Sequence, residues 1–194
     1  MKIVLDTCVL IPALVRDILL QVAYQGGYEP VISDAIDMEL REHLPLIMQR
    51  HKGRRRNLEE KTEKVLKRIY AVFPHNPVNI PEGYLALAEE SQSVRDPGDY
   101  HVMAAALYSQ SDAIVTFNIK DFQEENFPDG VALYSPDSLL LKILRDDPES
   151  VKSSVKAIAD RSGRYGRAMT YTDCLMVMSK TMPGVVKELL WAGE

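Results

Sequence analysis

The chain has 194 residues, 46% of them hydrophobic and 26% charged, a balance that supports a folded core and argues against disorder. It contains no long apolar run, so we expect neither a signal peptide nor a membrane span, and a cytoplasmic location. Its two cysteines, Cys8 and Cys174, lie far apart without metal-ligand spacing, which favours two buried thiols in a reducing compartment.

The net charge of −5 conceals one basic segment. Between Arg50 and Arg68, nine lysines and arginines accompany three glutamates, a local charge of +6 that leaves −11 for the rest of the chain. Such a segment suits contact with phosphate groups, but a solvated helix face has much the same composition. Charge alone therefore leaves both interpretations open.

Strand and helix patterns alternate along the first three quarters of the chain. The predicted strands cover residues 2–6, 28–32, 112–117 and 131–134. Four predicted helices cover residues 11–24, 58–73, 82–91 and 135–144. Two more helices are predicted directly after Ser33 and directly after Asp96, because each of these residues can cap the helix that follows it. Pro45 should bend or interrupt the helix that follows Ser33. This order predicts an α/β fold with a parallel sheet.

The last 50 residues have a different pattern. No strand is predicted after residue 144, and three short helices are expected over residues 151–158, 172–180 and 185–191. We therefore predict an α/β domain over residues 1–144 and a small helical C-terminal extension over residues 145–194.

Four acidic residues follow predicted strands or occupy helix faces near them: Asp6, Glu39, Asp99 and Asp121. Polar side chains at the carboxyl ends of parallel strands are where open α/β folds keep their sites. Carboxylates in one pocket repel each other unless a divalent cation neutralises them, and carboxylate oxygens suit Mg²⁺ and Mn²⁺. Taken singly, each acid is also explained as a cap, turn or boundary residue. No phosphate-binding glycine motif and no zinc-type cluster of His or Cys is present.

Four blocks occur in a characteristic order: LDTCVL, SDAIDMEL, DPGDYHVMAAAL and IVTFNIKDF. In this order they resemble a PIN-domain ribonuclease, in particular the longer VapC-like toxins of toxin–antitoxin systems that carry a helical C-terminal extension. The resemblance covers residues 2 to 144. It implies a PIN-like α/β/α sandwich with a parallel sheet, and an endoribonuclease that depends on Mg²⁺ or Mn²⁺.

The resemblance also implies roles for individual residues. Asp6, Glu39 and Asp99 match the first three acids of the family and would be metal ligands. Many shorter toxins have an Asp two residues after the Thr that matches Thr116, and this chain has Asn118 at that position. Asp121 would then supply the fourth acid, while Thr116 and Asn118 orient water or phosphate. The weaker anionic pocket leaves open whether one or two ions bind.

The same resemblance implies partners for the chain. The substrate would be RNA, held by the basic residues Arg54, Arg55, Arg56, Lys61 and Lys64. A small antitoxin protein is expected as a partner, and a homodimer is compatible with the resemblance.

Two other interpretations remain at this point. One is a catalytically silent PIN module that binds RNA or a protein, which the Asn at position 118 favours and the three preserved acids oppose. The other is a phosphoacceptor domain in which Asp6 takes a phosphoryl group, assisted by Thr116 and Lys120. That fold usually places its acceptor on a central later strand with an acidic pair after the first strand, whereas one acid follows the first strand here.

Overall fold

A four-stranded parallel sheet forms the centre of the computed structural model, which describes residues 1–52, 57–164 and 168–191. The strands are β1 (Lys2–Leu5), β2 (Glu29–Val31), β3 (Ala113–Val115) and β4 (Ala132–Tyr134). Their order in the sheet is β2-β1-β3-β4, and Val4 of β1 pairs with Val31 on one side and Ile114 on the other. The predicted parallel α/β fold is confirmed.

Ten helices accompany the sheet in the described part of the chain. They are α1 (Thr7–Leu10), α2 (Ala13–Tyr24), α3 (Asp34–Lys52), α4 (Leu58–Val72), α5 (Gly83–Glu90), α6 (Tyr100–Ser109), α7 (Pro136–Asp146), α8 (Pro148–Arg161), α9 (Tyr171–Met178) and α10 (Pro183–Trp191). Helix α3 packs against α4 and α6, and α5 packs against α6, which lies against β1 and β3. Helix α8 packs against α2 and α7. Sheet and helices share a core of fully buried aliphatic side chains such as Ile3, Leu19 and Ile114.

The element boundaries differ from the prediction in three places. Asp6 caps the short helix α1, so the predicted helix over 11–24 is preceded by a separate turn of helix. Asp96 caps as predicted, but its side chain accepts from the Gly98 N–H and begins a 3₁₀ turn over Pro97–Asp99, after which α6 starts. Helix α3 continues through Pro45, so Pro45 does not interrupt it, and the alternative of a bend there stays a prediction.

The C-terminal helices pack onto the sheet domain through polar and apolar contacts. Asp137 in α7 accepts hydrogen bonds from the backbone N–H groups of Gly184 (3.1 Å) and Val185 (2.9 Å), which anchors the start of α10. Ser154 in α8 donates to the side chain of Gln25 over 2.9 Å. Residues 145–164 and 168–191 are helical without a strand, as predicted, with each helix longer than or shifted from its expected range. The boundary near residue 145 stays a prediction.

The two thiols differ in exposure. Cys174 is fully buried, as predicted, while Cys8 is only half-buried at the carboxyl end of β1. Within the described ranges, no helix combines the length and the hydrophobicity that a bilayer crossing requires.

Candidate active site

The centre of the candidate site is a buried carboxylate between two adjacent strands. Asp6 directly follows β1 and Thr116 directly follows β3, and the Asp6 N–H donates to the Val115 carbonyl over 3.1 Å. The Thr116 hydroxyl donates to Asp6 Oδ2 over 2.5 Å. Both side chains are almost entirely inaccessible to solvent, at 3% and 0% exposure. A carboxylate can be buried here because hydrogen bonds replace its lost hydration.

Cys8 lies against the same carboxylate, a contact that the sequence patterns did not indicate. Its Sγ lies 2.9 Å from Asp6 Oδ2 and 3.3 Å from Thr116 Oγ1, and it accepts the Phe117 N–H over 3.1 Å. Burial, followed by the charge of Asp6, raises the pKa of this thiol to about 12. Cys8 is therefore a protonated donor that orients Asp6, not a nucleophile.

Glu39 reaches the site from α3. Its carboxylate accepts a short hydrogen bond from the Thr7 hydroxyl and lies 3.5 Å from His101 Nε2. Burial alone would raise the pKa of Glu39, but the His101 and Thr7 contacts outweigh it, so the pKa lies below its ordinary value. Glu39 is thus an ionised group held between α1 and α6.

His101 is a second residue that the sequence prediction missed. Its Nδ1 lies 2.7 Å from the Gly98 carbonyl, which can only accept, and its buried Nε2 faces the Glu39 carboxylate without completing a hydrogen bond. Both ring nitrogens therefore face acceptors, which favours the doubly protonated imidazolium. Burial opposes this charge, yet Glu39 and the Gly98 carbonyl raise the pKa of His101 overall.

Asp99 is the least compensated acid of the site. It ends the 3₁₀ turn before α6 and is half-buried, and among the described residues no hydrogen bond or ion pair holds its carboxylate. Burial, followed by the charges of Asp6 and Asp96, raises the pKa of Asp99 to about 6, and the charge of Asp121 adds to this. Several carboxylates therefore crowd one end of the sheet.

Asn118 and Asp121 lie in the loop that follows β3. The Asn118 N–H donates to Thr116 Oγ1 over 2.9 Å, and the Asp121 N–H donates to the Asn118 carbonyl over 2.9 Å. Within the described residues, neither side chain makes a hydrogen bond, so both are available to a ligand. The six predicted site residues thus lie at one end of the sheet, Glu39 being linked to the rest through Thr7 and His101.

The predicted RNA-binding residues are only partly visible. Arg54, Arg55 and Arg56 lie outside the described residues. Lys64 on α4 forms an exposed ion pair with Glu60 over 2.6 Å, and Lys61 is half-buried. Helix α4 packs against α3, the helix that carries Glu39. An exposed pair of this kind is weak and can be exchanged for a phosphate contact.

The donors of the site suit a hard divalent cation in type and charge. Asp6, Glu39, Asp99 and Asp121 supply carboxylate oxygens, and the raised pKa of Asp99 reports negative charge that a cation would neutralise. Across the described ranges, no three acidic, His or Cys side chains already form a group that could hold a metal ion.

Comparison with known proteins gives the family of the chain. No curated protein and no solved structure matches it. A family model described as the PIN domain matches residues 2–120, which is more than half of the chain and includes Asp6, Glu39, Asp99, Thr116 and Asn118. PIN domains are generally nucleases and typically use divalent metal ions. With its parallel sheet and the acids gathered at one end of it, the chain belongs to the PIN-domain family.

Proposed function

We propose that this PIN domain is an endoribonuclease that depends on Mg²⁺ or Mn²⁺ and hydrolyses RNA phosphodiester bonds. One observation carries the proposal: the half-buried Asp99 carboxylate has no hydrogen bond or ion pair among the described residues and lies close enough to Asp6, Asp96 and Asp121 that burial and their charges raise its pKa to about 6, although His101 opposes this. Uncompensated carboxylates destabilise a fold, and a cation that relieves them is the simplest reason to keep them together.

Asp6, Glu39, Asp99 and Asp121 would hold the ion. When bound, the ion would act as a Lewis acid that activates water and neutralises charge on the phosphate. The Thr116 hydroxyl and the Cys8 thiol hold the Asp6 carboxylate in one direction. Such fixed orientation is what positions reacting groups without reorganisation during the reaction.

The other polar groups have roles that follow from their contacts. Thr7 and His101 hold Glu39 ionised at the edge of the site. The Asn118 side chain, which has no hydrogen bond within the described residues, is available to orient the attacking water or a phosphate oxygen. Attack of water on phosphorus breaks the bond to the 3′ oxygen, which takes a proton, so the fragments carry 5′-phosphate and 3′-hydroxyl ends.

A nuclease assay on total RNA tests this proposal. We expect cleavage with Mn²⁺, none with EDTA, and none with Asp6→Asn, which keeps the size of the side chain but removes its charge. Asp129→Asn is the matched control, because this exposed acid lies in the turn before β4, at the other end of the sheet. Cleavage that survives EDTA or Asp6→Asn would sink the proposal.

The toxin role is a finer proposal that the motif order supports. We infer that the chain is the toxin of a type II toxin–antitoxin pair, blocked by a small antitoxin protein, and that it acts in the cytoplasm, where its RNA substrate is found. We also propose that the chain forms a homodimer. Expression of the chain should arrest growth, and co-expression of a small protein encoded by a neighbouring reading frame should relieve the arrest. Normal growth during verified expression of active nuclease would refute the toxin role.

A second candidate is a catalytically silent PIN module that binds RNA or a protein partner. Two observations favour it: Asn118 stands where many family toxins have an acid, and the described residues hold no preformed metal group. Tight RNA binding without cleavage at any tested Mn²⁺ concentration would select this candidate.

A further inference from the structure

Hydrogen bonds hold the loop that follows β3 beside the carboxylates. The Phe117 N–H donates to Cys8 Sγ over 3.1 Å, and this sulfur lies 2.9 Å from Asp6 Oδ2. Downstream, the Arg95 N–H donates to the Asp121 carbonyl over 2.8 Å, and Phe122 is buried. The backbone of Phe117 is therefore only two hydrogen bonds from the buried acid of the site.

This loop leaves apolar side chains in solvent. Phe117 and Ile119 are each 37% exposed, although they flank Asn118 and lie next to a site rich in charge. At its far end the same loop is anchored by an apolar contact, because Phe122 packs edge-on against Phe127. Phe117 is thus not needed to hold the loop down, and its exposed face next to Asn118 is available for stacking on a ligand.

Two cations accompany the exposed ring. Lys120 lies in the loop itself, and Arg95 is joined to it through the Asp121 carbonyl. Both side chains are exposed, and among the described residues neither forms an ion pair. Both are therefore available to a negatively charged ligand.

We infer that this loop is the base-stacking subsite for single-stranded RNA: Phe117 stacks on a base next to the cut bond, and Lys120 and Arg95 hold the adjoining phosphates. The inference rests on the proposed function and assigns residues of this loop to one unpaired base and its phosphates. Bases in a duplex are covered by their neighbours, so an aromatic ring can stack only on an unpaired one. An exposed ring on a loop that also carries Lys120, and whose backbone bonds to that of Arg95, matches the combination that single-stranded nucleic acids require. An acidic protein would use the cations but would leave the ring without a specific role.

Binding in EDTA tests the ring without any cleavage. The probe is a short single-stranded RNA that carries 2-aminopurine, whose fluorescence is quenched on stacking against an aromatic ring. We expect Phe117→Ala to weaken affinity about tenfold and to abolish the quenching, while Phe117→Tyr retains both. Tyr24→Ala is the matched control, since Tyr24 is 67% exposed at the end of α2, which leads away from the carboxyl ends of the strands.

The salt dependence separates the ring from the cations. Lys120→Ala and Arg95→Ala should each lower the slope of log K against log salt by about 0.7, whereas Phe117→Ala should leave the slope unchanged. Unchanged affinity and quenching in Phe117→Ala overturn the inference, including the case in which that variant instead loses a protein partner. If Phe117→Ala behaves like wild type in this way while wild type cleaves RNA with Mn²⁺, the inference fails and the proposed function stands. If wild type neither binds nor cleaves RNA, both the inference and the proposed function fail.

Discussion

Replacing Asp99 by Asn should stabilise the metal-free protein while abolishing cleavage. The shift of the pKa of Asp99 from 3.8 to about 6 corresponds to about 3 kcal/mol of unfavourable free energy for the ionised form at neutral pH. Because Asp99 is only half-buried, solvent screening reduces this to about 1 kcal/mol. In a chain of this size, that is about 2–4 °C in the Tm.

The pH dependence gives the prediction its sign. A carboxyl with a raised pKa in the folded state favours folding while it is protonated, and this contribution is lost as the pH rises through about 6. Asn mimics the protonated form at every pH. The Tm difference between Asp99→Asn and wild type should therefore be near zero at about pH 4 and reach its full size above about pH 7.

Thermal unfolding in EDTA across this pH range, followed by circular dichroism, measures the effect. Asp129→Asn is the control, since that acid is exposed in the turn before β4. Adding Mn²⁺ should raise the Tm of wild type more than that of Asp99→Asn, because an ion that binds only the folded state stabilises it. A variant that is less stable than wild type at about pH 7, or a Tm difference that does not change with pH, would refute the reasoning.

Three further predictions concern the rest of the site. Thr116→Val should cost about 1–3 kcal/mol in urea unfolding, because it removes the hydroxyl that holds the buried Asp6, and an unchanged midpoint would show that this hydrogen bond is dispensable. If Asp121 is the fourth acid, calorimetry should show that Asp121→Asn weakens Mn²⁺ binding, whereas Asn118→Ala mainly slows turnover; equal, negligible effects on affinity would mean a site of three acids. Replacing Arg54–Arg56 by Ala should weaken RNA binding uniformly across sequences and lower the salt slope by about 0.7 for each lost phosphate contact, and an unaltered slope would assign these arginines to a protein partner or to a solvated loop.

The sequence by itself determined the features that depend on neighbouring residues. The β-branched strand ending at Asp6, the cap at Ser33 and the cap at Asp96 are local, because side chains and backbone within a few residues satisfy them. Strand order along the chain then places Asp6 and Thr116 at the same end of a parallel sheet, so the position of these two candidate site residues could be predicted. Of the two effects predicted for Pro45, a bend or an interruption, the interruption is excluded, since α3 continues through that position.

Only the tertiary structure decided how the acids are held. Thr7 and Glu39 are 32 residues apart, and Cys8 and Thr116 are 108 apart, so no periodicity or cap could pair them. The sequence also carries no sign that His101 lies beside Glu39, because this contact exists only where α6 packs against α3. Desolvation and the summed charge of neighbours set the pKa of Asp99, and both are properties of the folded state. The sequence indicated which residues could form the site, and packing determined which of them are held and which remain available to a ligand.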